Sequence, residues 1–156
     1  MKRTECLKRT GLTEGKHLFK VANIKPLEYD ASIPVEERIP KMIISGVVFI
    51  NGQTNNGVVH NVYALNTHEC IDGQSTSSMY DEMVFAIFDM LGITEDIDTE
   101  NIPDVLSAVR GKTFPCYIIK NLYEKDGIAK EYYNVLFTKT TQVEQMLKIQ
   151  ELLNKR

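Results

Sequence analysis

The sequence has no tryptophan, only three cysteines and five prolines, and not one Lys or Arg between residues 42 and 109. Cys6, Cys70 and Cys116 are widely spaced. That pattern excludes a disulfide framework and a paired-cysteine zinc site, and it fits reduced thiols in a cytoplasmic protein. No apolar run approaches the ~20 residues that a membrane-spanning helix needs. The basic start Met1-Lys2-Arg3-Thr4-Glu5-Cys6-Leu7-Lys8-Arg9 has no apolar segment after it and does not read as a secretory signal. What is present is a chain of 156 residues, long enough to bury one core unaided, with a formal net charge of -3. The charge is segregated. Residues 1–41 carry nine Lys/Arg and six Asp/Glu, residues 42–109 carry ten Asp/Glu alone, and residues 110–156 carry nine Lys/Arg and five Asp/Glu.

Residues 1–14 have no sustained periodicity and read as a flexible basic arm, with residues 15–156 as one domain. The spacing predicts a first strand over Lys16–Lys25, broken by Pro26, and a polar, proline-interrupted loop to Pro40. The apolar, β-branched run Met42–Ile50 and the run Val58–Leu65 predict a hairpin around Asn51-Gly52 and Asn56-Gly57. The period then changes to that of a helix. Ser78 and Asp81 have capping-box spacing, Met83, Val84, Ile87, Met90 and Leu91 recur at helical intervals, and Gly92 stops the helix. A shorter helix is expected over 103–110, then strands Phe114–Tyr123 and Tyr132–Phe137 joined through Lys125-Asp126-Gly127. A last helix, capped by Thr141 with Glu144, carries the apolar stripe Val143, Met146, Leu147 and Leu153.

Three strands, a helical block, and a final strand pair form the order of a five-stranded OB-like barrel, with the helical insertion between strands 3 and 4 and a C-terminal helix added. Over roughly residues 15–139 the chain resembles the small OB-fold single-stranded DNA-binding proteins of phages and mobile elements. The resemblance rests on the opening strand Gly15 to Lys25, the helical block, the string Val109-Arg110-Gly111-Lys112 leading into a strand, and the last strand pair. It implies non-catalytic binding of single-stranded DNA in replication or recombination, without a cofactor. Two features depart from the family pattern: the sequence ends Lys155-Arg156 where some relatives have an acidic tail, and the net charge is negative.

On that fold the late tyrosines become candidate stacking platforms, because an aromatic ring accepts the face of any base. Tyr117, Tyr123 and Tyr132 are the candidates, with Tyr133 directed inward beside Val135 and Phe137. Lys112, Lys120, Lys125 and Lys130 are placed to meet phosphates, and Lys20, Lys25, Arg38 and Lys41 are expected to line the same positive groove. Catalytic and metal signatures are absent. In His68-Glu69-Cys70 and Pro115-Cys116 the spacing of a zinc deaminase fails, since Glu69 follows His68 directly and position 119 is Ile. Ser75-Thr76-Ser77-Ser78 ends at a helix cap, and neither a nucleophile elbow nor a P-loop occurs. The alternative expectation is an interaction or assembly module, a homo-oligomer included, in which the acidic helical block or the C-terminal stripe makes the contact.

Overall fold

The computed structural model describes residues 14–50 and 53–154, of which residues 50, 53–58 and 154 are described by backbone alone. The expected basic arm, apart from Glu14, and Asn51-Gly52 of the expected hairpin tip lie outside the described residues, whereas Asn56-Gly57, also expected at the tip, falls within the strand Gln53–Leu65. In chain order the elements are β1 (Gly15–Pro26), β2 (Lys41–Ile50), β3 (Gln53–Leu65), β4 (Cys70–Ile71), β5 (Gln74–Ser75), α1 (Met79–Leu91), α2 (Ile102–Val109), β6 (Thr113–Lys125), β7 (Ile128–Leu136) and α3 (Thr141–Asn154). A one-turn 3-10 helix, Val35–Glu37, interrupts the long loop between β1 and β2.

The fold is mainly β. Five strands form one antiparallel sheet in the order β3-β2-β1-β6-β7, and β4-β5 is a separate two-stranded ribbon. The expected barrel is not closed. Among the described residues β3 and β7 each have a single hydrogen-bonded neighbour, and Met79 and Met83 of α1 stand at the cleft between them. The order of the long strands and the place of the helical block, between β3 and β6, are as the sequence predicts. The ribbon was not foreseen, although its turn residues Asp72 and Gly73, both at positive φ, are a hairpin signal.

Strand alternation divides the sheet into two faces. The inner face carries Phe19, Val21, Ile24, Ile44, Val48, Val62, Phe114, Cys116, Ile118 and Val135, which pack against Tyr80, Val84, Ile87 and Phe88 of α1 and Val105 and Val109 of α2. Phe19, Phe114 and Phe137 form its centre, with ring centroids 5.0–5.6 Å apart in tilted or edge-on contacts. Gly46 belongs to this face for want of space: a Cβ there would stand 2.4 Å from both the Lys20 carbonyl oxygen and Phe19 Cε1.

The helices begin where local chemistry dictates. Ser78 caps α1 through its side chain, which accepts from the Asp81 N–H, while the Asp81 carboxylate accepts from the Ser78 N–H, completing the expected box. Gly92 ends the helix at φ 71°. For α3 the cap is Thr140 and not the expected Thr141: Thr140 Oγ1 accepts from the Val143 N–H at 3.2 Å. Val143, Met146 and Leu147 then face Tyr117, Ile119 and Leu136, so α3 lies over the outer face at β6. No described helix is long and apolar enough to cross a membrane.

Candidate nucleic-acid interface

Strands β1, β2 and β3 contain four lysines, Lys16, Lys20, Lys25 and Lys41, and no Asp or Glu. Their register shows how these residues share a surface. On the outer face one cross-strand row runs Lys25, Ile43, Tyr63, the next Asn23, Ser45, Asn61, and the next Lys20, Val47, Val59. Beyond them Leu18 stands opposite Phe49, and Lys41 opposite Leu65. A bulge between Val21 and Asn23 keeps Lys20 and Lys25 on one side despite their odd separation. Ser45 Oγ donates to Asn61 Oδ1 at 2.7 Å, giving the middle row a polar belt. Tyr63 is 55% exposed, so its ring is open to a flat partner, while Val47 and Phe49 are half-buried further along β2. The face thus places cations along β1 and an open aromatic ring on β3, with hydrogen-bonding groups between them. Tyr63, Phe49, Lys16, Ser45 and Asn61 were missed by the sequence reading. The signal for Tyr63 was available, since its neighbours Val62 and Ala64 are the inward residues of β3.

The predicted site residues do not gather in one place. Lys20, Lys25 and Lys41 belong to the outer face just described. Tyr123 and Tyr132 share the outer side of the β6-β7 hairpin with ring centroids 5.5 Å apart, and Lys130 pairs with Tyr123 across the ladder. Lys125 flanks the Asp126-Gly127 turn of the same hairpin. This second cluster is distant from the first. Lys20 pairs with Thr113 and Tyr123 lies ten residues further along β6, which at strand rise is roughly 33 Å.

Four expected positions have other roles. Tyr117 is not an open platform: it is 6% exposed, because α3 covers the stretch of β6 that carries it. Lys120 points to the opposite side of the hairpin from Tyr123, and its ammonium forms a 2.9 Å ion pair with Glu131 that holds its pKa above the usual lysine value. Arg38 staples its own loop, with Nε donating to the Ile33 carbonyl at 2.9 Å and Nη2 to the Asp30 carbonyl at 3.3 Å. Lys112 lies in a cleft with Glu95 and Asp104 at the start of β6, among carboxylates. The single groove expected to join all of these cations is therefore replaced by an outer face on β1–β3 and a separate hairpin cluster.

The acidic block lies with α1 and α2 against the inner face, away from the lysines of β1. Its one buried carboxylate, Asp81, is a structural hub. Desolvation pushes this carboxyl up, but hydrogen bonds from the Ser78 N–H, Thr99 Oγ1, His68 and the Ser78 hydroxyl outweigh it and leave the pKa below the ordinary carboxylate value. Asp81 Oδ2 lies 2.7 Å from His68 Nε2, and Thr99 Oγ1 donates to Oδ1 at 2.5 Å, so the carboxylate joins the segment after β3, the start of α1 and the segment before α2. Cys116 is completely buried, and loss of solvent pushes its thiol up to about 12, which removes it as a nucleophile at neutral pH. The stripe proposed for assembly is divided. Val143, Met146 and Leu147 cover the sheet, whereas Leu153 is exposed together with Ile149 and Leu152.

No family model matches this sequence, and a search of curated proteins found no match.

Proposed function

We propose that this protein binds single-stranded DNA without catalysis, on the outer face of β1–β3, with lysines at phosphates and aromatic rings against bases. The observation that carries the reading is the row Lys25–Ile43–Tyr63 within three strands that hold four lysines and no carboxylate. A sheet face with cations along its central strand and an open ring on its edge strand is an arrangement that tracks a backbone while tolerating any base. On this reading the sheet is an OB-type barrel left partly open, a form that the OB fold tolerates and whose second and third strands form its usual ligand face. The Tyr123–Tyr132 pair with Lys130 and Lys125 extends the contact onto the last hairpin. The fold, the family and the ligand are inferences of the same reading.

The test is an anisotropy titration with labelled oligonucleotides of about 15 to 30 nucleotides at two salt concentrations. Four lysine–phosphate contacts, at about -0.7 each on a single strand, give a slope of log affinity against log salt near -3. Homopolymers of different bases should bind within about tenfold of each other, since stacking is sequence-tolerant. Absence of binding at low salt ends the reading.

A second reading is favoured by one observation, the exposure of Ile149, Leu152 and Leu153 on α3. If this apolar end joins two copies, Leu152→Glu should lower the mass seen by light scattering. An unchanged monomeric mass in both proteins disposes of it.

A further inference from the structure

The two edges of the sheet face each other. A cleft of about 430 Å³ is lined by four consecutive residues of β3, His60 to Tyr63, by four consecutive residues of β7, Tyr133 to Leu136, and by Met79 and Met83 of α1. Side chains of one strand face alternate, so consecutive lining residues mean that it is the edges of both strands that border the cleft.

Ladder alternation shows which backbone groups point into it. The Asn66 N–H donates to the Pro40 carbonyl at 2.9 Å, which makes the 40/66 pair a hydrogen-bonded one. Counting along the register, Met42/Ala64, Ile44/Val62 and Gly46/His60 are bonded pairs as well. Asn61 and Tyr63 then turn their N–H and C=O groups away from β2 and toward the cleft. On β7 the two-residue turn Asp126-Gly127, with φ of 55° and 75°, makes Lys125/Ile128 a bonded pair. The same count assigns Asn134 and Leu136 to β6 and turns the N–H and C=O of Tyr133 and Val135 toward the cleft.

We propose that this seam receives one extended peptide strand of net positive charge, which bonds Asn61 and Tyr63 on one side and Tyr133 and Val135 on the other. Four antiparallel steps separate β3 from β7 in the sheet, so the two edges run in the same direction. A peptide antiparallel to one is antiparallel to both and completes the ring of strands. Strand addition draws its affinity from such backbone pairing and its specificity from the pockets beneath alternate side chains. Here Met79 and Met83 lie beneath, and their flexible side chains adapt to apolar residues of varied shape. The charge preference comes from the continuation of the seam. Through Met79, Met83 and Leu136 it opens into a groove of about 470 Å³ beside Phe85, Glu82 and Asp89, and among the described residues no Lys or Arg lines either space. A nucleic acid would meet carboxylates there, and a second copy of the sheet could use only one edge at a time.

The probe is a fluorescein-labelled heptapeptide, acetyl-Lys-Val-Thr-Val-Lys-Val-Lys-amide, titrated against the full chain. Saturable binding is expected, at least about tenfold weaker when glutamate replaces lysine or when alternate amides are N-methylated. By hydrogen exchange, the amides of Asn61, Tyr63, Tyr133 and Val135 should gain protection on adding the peptide, while those of His60, Val62, Asn134 and Leu136, already bonded within the sheet, should not change. Asn61→Pro removes a seam-facing donor from an edge where proline is tolerated, and in a variant with the wild-type circular dichroism it should weaken the peptide by about tenfold. No saturable binding, protection elsewhere than at those four amides, or the same four protections on adding oligothymidine in place of the peptide overturns the proposal.

Discussion

Lys120 Nζ lies 2.9 Å from Glu131 Oε1 on the side of the last hairpin opposite to Tyr123 and Tyr132. A lysine already neutralised by a neighbouring carboxylate releases few counterions when a phosphate approaches, whereas a lysine with no carboxylate paired to it, as on strands that contain none, releases its full share. Lys20→Ala and Lys25→Ala should therefore each flatten the salt slope of oligonucleotide binding by about 0.7, and Lys120→Ala should leave it nearly unchanged. Titrations at four salt concentrations with each variant check this. An equal effect of all three substitutions removes the outer face as the binding surface.

Tyr63 and Tyr117 should separate binding from stability. Tyr63→Ala should weaken binding by about 1 to 3 kcal/mol with the salt slope and melting temperature close to wild type, because its exposed ring stacks and does not pack. Tyr117→Ala leaves a hole beneath α3 and should cost about 3 kcal/mol in urea denaturation. A stable Tyr117→Ala protein with normal α3 helicity contradicts the packing of that helix over β6.

Asp81 gives stability a pH dependence of known sign. Its folded pKa is depressed by the groups that donate to it, so its contribution is complete above the unfolded carboxylate value, near 4, and is lost as pH falls through the lower folded value. Asp81→Asn should melt well below wild type at neutral pH, and the gap should narrow below about pH 4. A gap that stays constant down to pH 2 shows that the charge of Asp81 contributes nothing.

Gly46→Ala should be among the most destabilising single-methyl additions in the chain. The new Cβ meets the Lys20 carbonyl oxygen and the Phe19 ring at 2.4 Å, and a ladder carbonyl between two central strands cannot retreat cheaply. A loss of about 1 to 3 kcal/mol, the ordinary cost of overpacking, or more is expected in chemical denaturation. Gly73→Ala, where nothing lies within 4 Å of the added atom, provides the control for strain from a positive φ alone.

The sequence by itself determined the elements and most of their inward residues. Period-2 runs placed the long strands, period-3.6 runs placed α1 and α3, and turn residues such as Asp126-Gly127 fixed the last hairpin, because these signals depend only on neighbours along the chain. Ile87 recurs at helical intervals with Val84, and both are buried. Tertiary structure decided everything that depends on what covers a strand. Alternation correctly set Tyr117 on the face opposite Cys116, but only the docking of α3 made that face interior at β6 and left it open at Tyr63. Pairing register, which no local signal reports, brought Lys25 into one row with Tyr63 and set Lys120 beside Glu131. It also left β3 and β7 facing one another unpaired, since closure depends on whether two strands some seventy residues apart approach to hydrogen-bonding distance.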